Sequence, residues 1–273
     1  MNPATATDLV LAATAGCYAT AAGLYFTQLM GKAARSAKLA KPVLAVGAGL
    51  HFTHFLLISM VQKACPVEGI HQATSLMALS AAVIFLLVSR FWRVDVVGAF
   101  VAPLSLAALL AARFVGIPDV APPVKNAVLP LHVTAILLAS ALFSIASALA
   151  ATYLLQEKQL KQKRGLGLLQ RLPPLDVLDR ASHRFLLAGF PLLTLGIVTG
   201  LLWIGKLGEG GGTTLRNTLA YASWFLFAAV LLGRSAGGWR GRRAAWGTIL
   251  GFGCAVLVFL VYLVRNAHAG VMP

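Results

Sequence analysis

The sequence predicts an all-α polytopic membrane helix bundle, a single integral membrane domain of eight transmembrane helices with both termini outside. Three observations predict it. Apolar residues make up 59% of the 273 residues and charged residues only 11%, against about 25% charged in an ordinary soluble domain. Mean hydropathy is +0.81, so the chain cannot cover a water-facing surface, which excludes a soluble enzyme and a disordered protein. The charge-free stretches are long enough to cross a bilayer, which takes about 20 apolar residues. Finally, Lys and Arg fall between those stretches with a strong bias toward alternate loops.

The first charge-free window is Leu9–Gly31. Only Asp8 precedes it, so it lacks the basic n-region of a cleavable signal peptide and reads as the first span. Pro42–Gln62, Gly69–Ser89 and Val96–Ala112 follow. The fifth window, Asn126–Gln156, is long, and Pro130 trims its start to about residue 128, because proline suits a helix's first turn. Phe185–Gly205, Asn217–Gly233 and Ala244–Val264 complete the set.

Orientation follows from the loops. Seventeen Lys and Arg lie in the loops after spans one, three, five and seven, and six in the others. The first set is read as cytoplasmic. The net charge of +15 is thereby topogenic; it forms no single basic face, and nucleic acid is not an expected partner. The partner certain to be present is the lipid bilayer. The three cysteines form no CxxC, which excludes thioredoxin chemistry and a thiolate zinc site; Cys17 and Cys254 read as packing residues and Cys65 as a lone loop thiol.

The cytoplasmic linker 157–184 begins as a basic stalk, QEKQLKQKRG, that extends the fifth helix into water. Leu172–Arg184, which opens on the Pro173-Pro174 break, reads as a short interfacial helix. The outer segment Lys206–Arg216, with Gly208 and Gly210–Gly212, reads as a flexible connection; it does not make a complete P-loop.

No Asp, Glu, Lys or Arg lies inside a span, which counts against a proton pump or ion-coupled transporter. A small-solute transporter is the distant third reading, because its polar candidates, Thr53, Ser59, Thr194 and Thr199, are scattered. Histidine remains as the carrier of chemistry. His51 and His54 stand in mid-span two, and their i, i+3 spacing puts both on one helix face. Neutral imidazole can ligate a metal or heme iron, or simply hydrogen-bond between helices. His132 opens span five and His268 follows span eight, so the charge count assigns both to the outer side at similar depth. His71 and His183 read as interface residues.

The stretches LHVTAILLASALFSIASALAATYLLQEKQLKQKR and LPPLDVLDRASHRFLLAGFPLLTLGIVTGLLW, then GGWRGRRAAWGTILGF and VYLV…HAG, resemble the cytochrome c assembly protein family. That family holds the CcsA/ResC and CcmC heme handlers and their short, eight-span HemX-like relatives. The resemblance implies a multi-pass protein of the bacterial inner membrane that binds heme at its outer face. The two outer ligands would be His132 and His268, and His51 or His54 would serve within the membrane. Other cytochrome c maturation proteins, or a cytoplasmic heme-synthesis enzyme, would be partners. Where the family carries a Trp-rich WGxxWxWD segment, this chain reads WIGKLGEGGGTTLRNTLAYASW, keeping only Trp203 and Trp224. Leu232 also stands where an in-span histidine is expected. The departure leaves a second reading open: a HemX-like regulator or scaffold without heme, docking a cytoplasmic partner through Lys158–Arg164 and Leu172–Arg184.

Overall fold

In the computed structural model the described residues are 3–30, 34–62, 70–91, 95–114, 128–162, 172–207 and 214–269. They form eight α-helices: α1 (Pro3–Leu29), α2 (Ala34–Gln62), α3 (Ile70–Phe91), α4 (Gly98–Phe114), α5 (Val128–Lys161), α6 (Leu175–Leu207), α7 (Thr214–Ala236) and α8 (Arg242–Ala269), with one 3₁₀ turn, Asp95–Val97, before α4. Seven are long and apolar enough to cross a membrane, and α4 has 17 residues. A backbone without water must satisfy its own polar groups, and the helix does so within one segment. Prolines 42, 103 and 191 are absorbed inside helices.

The chain divides into two compact units, residues 1–113 with 156–173, and residues 114–155 with 174–273. In the first unit α1, α2 and α3 pack through small and aromatic residues. Tyr18, Ala21, Tyr25, Leu44, Ala82 and Phe85 are buried, and Tyr25 meets Phe85 edge to face at 5.8 Å. Lys41 donates to the Ser89 carbonyl at 3.0 Å and pairs with Asp95, which ties α2 to the end of α3 and the start of α4.

The second unit holds α5 up to Leu155 together with α6, α7 and α8. Its core gathers Ala139, Phe143, Leu186, Leu193, Phe227, Val230 and Ala244. Phe143 and Phe227 stack with centroids 4.1 Å apart. Close approach of α5 and α6 depends on small residues. A Cβ added at Gly189 would meet Phe143 at 2.6 Å, one at Gly196 would strike Ile136, and one at Gly200 would meet His132 at 2.9 Å. As the α6 partner advances from 189 to 200, the α5 partner retreats from 143 to 132, so the two helices run antiparallel. The same test on Phe190–Trp224 with Asp179–Arg234, and on Val230–Gly247 with Phe227–Gly251, makes α6, α7 and α8 antiparallel in turn.

The segment expected to lie as a separate interfacial helix does not do so. α6 starts at Leu175, directly after the two prolines, and runs unbroken to Leu207. Nothing between Arg184 and Phe185 breaks a helix. The face Leu178, Ala181, Ser182, Phe185, Leu186 recurs at helical spacing and is buried in the unit. As expected for the stalk, α5 continues as helix to Lys161, where Lys161 bonds Glu157 at 2.7 Å.

Candidate functional site

The histidines divide between the units. In the first, His51 and His54 are both buried, at 0% and 4% exposure. His51 uses both ring nitrogens: Nδ1 bonds the Tyr18 hydroxyl at 3.0 Å and Nε2 the Ser75 hydroxyl at 2.8 Å. One imidazole thus joins α1, α2 and α3. His54, one turn on, bonds the Thr7 carbonyl through Nδ1 at 3.1 Å. A carbonyl only accepts, so Nδ1 carries the proton and Nε2 keeps its lone pair. Nε2 of His54 has no hydrogen-bond partner among the described residues. The i, i+3 pair therefore shares a face, as its spacing requires, but its two members are in different chemical states.

In the second unit His132 lies in the second turn of α5. Its Nδ1 donates to the Gly196 carbonyl at 2.7 Å, with the Thr199 hydroxyl at 3.3 Å. The Gly196–Gly200 step of α6 makes the hollow in which the ring rests, because any side chain at Gly200 would occupy it. Nε2 of His132 has no partner among the described residues. His268 belongs to the last turn of α8; its side chain lies outside the described residues. Ser147 of α5 donates to the Thr248 carbonyl of α8 at 3.3 Å. Counting outward from that contact at 1.5 Å per residue, the backbones of His132 and His268 reach the same end of the unit, with His268 about 8 Å further out.

The remaining expectations resolve unevenly. His183 is half-buried on α6, and its Nδ1 is buried without a partner. Cys65, the side chain of His71, that of Trp203 and residues 208–213 of the glycine-rich segment lie outside the described residues. Trp224 points inward: its indole N–H donates to Thr194 at 2.9 Å and its ring packs on Phe190 and Phe225. The scattered hydroxyls are also engaged. Thr53, Ser59, Thr194 and Thr199 each donate to a carbonyl of their own helix. Leu232 faces outward, 66% exposed. Among the described residues no three His, Cys, Asp or Glu side chains gather into a metal site.

One polar centre escaped sequence reasoning. Asp179 receives both arms of the Arg234 guanidinium, at 3.0 and 2.8 Å, and the Gly241 backbone N–H at 3.1 Å. Both side chains are only 12% exposed. The only signal was that Asp179 and Arg234 fell on the same side of the charge count; Asp179 stands beside Arg180 and near Asp176, so its partner could not be picked out from the sequence.

Comparison with known proteins bears on this arrangement. The family model described as Cytochrome C assembly protein matches residues 37–268. The chain is 28% identical over 266 residues to "Cytochrome c biogenesis protein CcsA" of Synechococcus sp. (strain RCC307), covering 86% of this chain and 85% of that protein. It is 29% identical over 226 residues to the protein of the same description from Guillardia theta, covering 74% and 73%. Among solved structures it superposes on "Cytochrome c Heme Lyase CcmF" with a TM-score of 0.68 at 16% identity. That match covers 99% of this chain and spans about half (51%) of the lyase chain, and at such identity the likeness is one of fold. The match over residues 37–268 settles the family: this multi-pass helical membrane protein belongs to the cytochrome c assembly protein family.

Proposed function

We propose that this protein handles heme as a cargo during cytochrome c biogenesis, held at the outer end of its second unit between His132 and His268. The observation that carries the reading is the bond from His132 Nδ1 to the Gly196 carbonyl. It orients the ring and fixes the tautomer, leaving the Nε2 lone pair for iron, as a backbone acceptor behind a ligating histidine does. Heme iron takes two axial imidazoles, and the antiparallel order of α5 to α8 brings a second histidine-bearing helix end to the same side. The residues fit heme in that respect. They do not supply an aromatic bed from Trp224, which is committed to the core. Within the first unit, His54 has the same anchored form and is the member of its pair able to bind in passing; His51 has no free nitrogen. The loop-charge bias supports an orientation with both termini outside, and a bacterial inner membrane is the setting we propose. The relatives' description as cytochrome c biogenesis proteins supports the pathway.

The test is the absorption spectrum of protein purified after expression with excess heme. A Soret band is expected, and it should be lost from the His132→Ala/His268→Ala double variant. A wild-type protein without that band, or a variant that keeps it unchanged, overturns the reading.

A further inference from the structure

The end of the second unit that carries the α7–α8 turn is unusually basic and unusually well fixed. Arg240, Arg242 and Arg243 are all exposed, and none forms an ion pair among the described residues. The acids near them are already used. Asp176 pairs with Arg180 and Asp179 with Arg234. After Asp179 the described residues hold no further acid. Three exposed guanidinium groups are thus left without a carboxylate partner among the described residues.

The turn that presents them is not a loose loop. Gly238 and Gly241 both have left-handed backbones, with φ of 62° and 64°, a conformation that a residue with a Cβ adopts only under strain. The Gly237 and Trp239 N–H groups both bond the Gly233 carbonyl at 2.9 Å, closing the C-terminus of α7. The Gly241 N–H is held by Asp179, the same carboxylate that clamps Arg234. The Trp239 ring lies directly over Gly233, leaving no room for a side chain there. Trp239 and Trp246 remain 38% and 48% exposed on either side of the arginines. Indole rings beside basic residues, at the end of two apolar helices, match the headgroup level of a bilayer.

We propose that this turn is a binding surface for the headgroup phosphate of an anionic phospholipid. Arg240, Arg242 and Arg243 contribute planar forks that pair with phosphate oxygens, and the two tryptophans seat the turn at the depth where those phosphates lie. The lipid is favoured over a soluble acidic partner because the arginines are bracketed by exposed indoles rather than set on a wholly polar face.

The test is native mass spectrometry of the full protein released from bilayers containing phosphatidylglycerol or phosphatidylcholine. The wild type should retain phosphatidylglycerol several-fold more than phosphatidylcholine. The Arg240→Gln/Arg242→Gln/Arg243→Gln variant should lose that preference while keeping its melting temperature. Equal retention of the two lipids by the wild type overturns the proposal without reference to any variant. So does a preference that survives the triple substitution, or arginine-dependent capture of an acidic peptide in place of lipid.

Discussion

At the scale of single residues, what separates these histidines is the state of the second nitrogen. His132 and His54 spend Nδ1 on a carbonyl and keep Nε2, whereas His51 spends both. On the proposed ligation iron would compete with a proton for Nε2, which fixes the sign of the expected pH effect. Retained heme should be highest where imidazole is neutral and should fall as pH drops through or below about 6.5. A pH titration of the Soret band checks this, and a band that strengthens on acidification would exclude histidine ligation. Asp179 supports a second prediction. Deleting one member of a buried pair strands the other charge, at a cost of about 3 kcal/mol or more, whereas replacing both by apolar residues is often close to neutral. Asp179→Asn should therefore lower the thermal midpoint in detergent markedly, and Asp179→Leu/Arg234→Leu should recover most of the loss. Equal losses in the two variants would mean that the carboxylate acts mainly through the Gly241 N–H.

At the scale of elements, two helix interfaces carry the candidate sites by different means. α5 meets α6 along Gly189, Gly196 and Gly200, where missing side chains bring the backbones close enough for an imidazole to reach a carbonyl. α1, α2 and α3 meet around His51, where hydroxyls on two helices close on one ring. Interhelical hydrogen bonds inside membranes average about 0.6 kcal/mol, so His51→Leu should cost about 1 kcal/mol of stability and leave heme absorbance intact. His54→Leu, which loses one such bond to Thr7, should cost about half as much and should lower heme absorbance if that position binds cargo in passing. Thermal melts and spectra of the two variants, taken together, decide it. The histidine positions and their i, i+3 face were legible from spacing. Which nitrogen each uses was not, because the partners Tyr18, Ser75, Thr7 and Gly196 stand 24 to 64 residues away in sequence. The separate interfacial helix was misjudged for a related reason. Amphipathic spacing at Leu178, Ala181 and Phe185 describes a buried stripe as well as a membrane-lying one, and the spacing alone does not distinguish them.

At the scale of the whole molecule, the bilayer's demand on backbone polar groups made the architecture the most readable feature. Charge-free windows located all eight helices, and the helices then ran past those windows, as α7 does from Thr214 to Ala236. Their polar ends remain helical because the hydrogen-bond ladder does not stop where hydropathy falls. Orientation is a separate matter, and its expectation rests on the seventeen-to-six division of Lys and Arg between alternate loops. It bears on the proposed function, since His132 and His268 would lie outside the cytoplasm only if their end of the second unit faces out. Alkaline phosphatase fused after Pro273 should accordingly be active, and green fluorescent protein in the same place dark. Inserted between residues 163 and 171, the two reporters should exchange behaviour. Arginine carries the bias around α7 and α8, so Arg240→Glu/Arg242→Glu/Arg243→Glu should produce mixed activity at the C-terminal fusion. If instead the wild-type C-terminus lights the fluorescent reporter, the outer histidines become cytoplasmic ones, and heme would be received at that end rather than delivered from it.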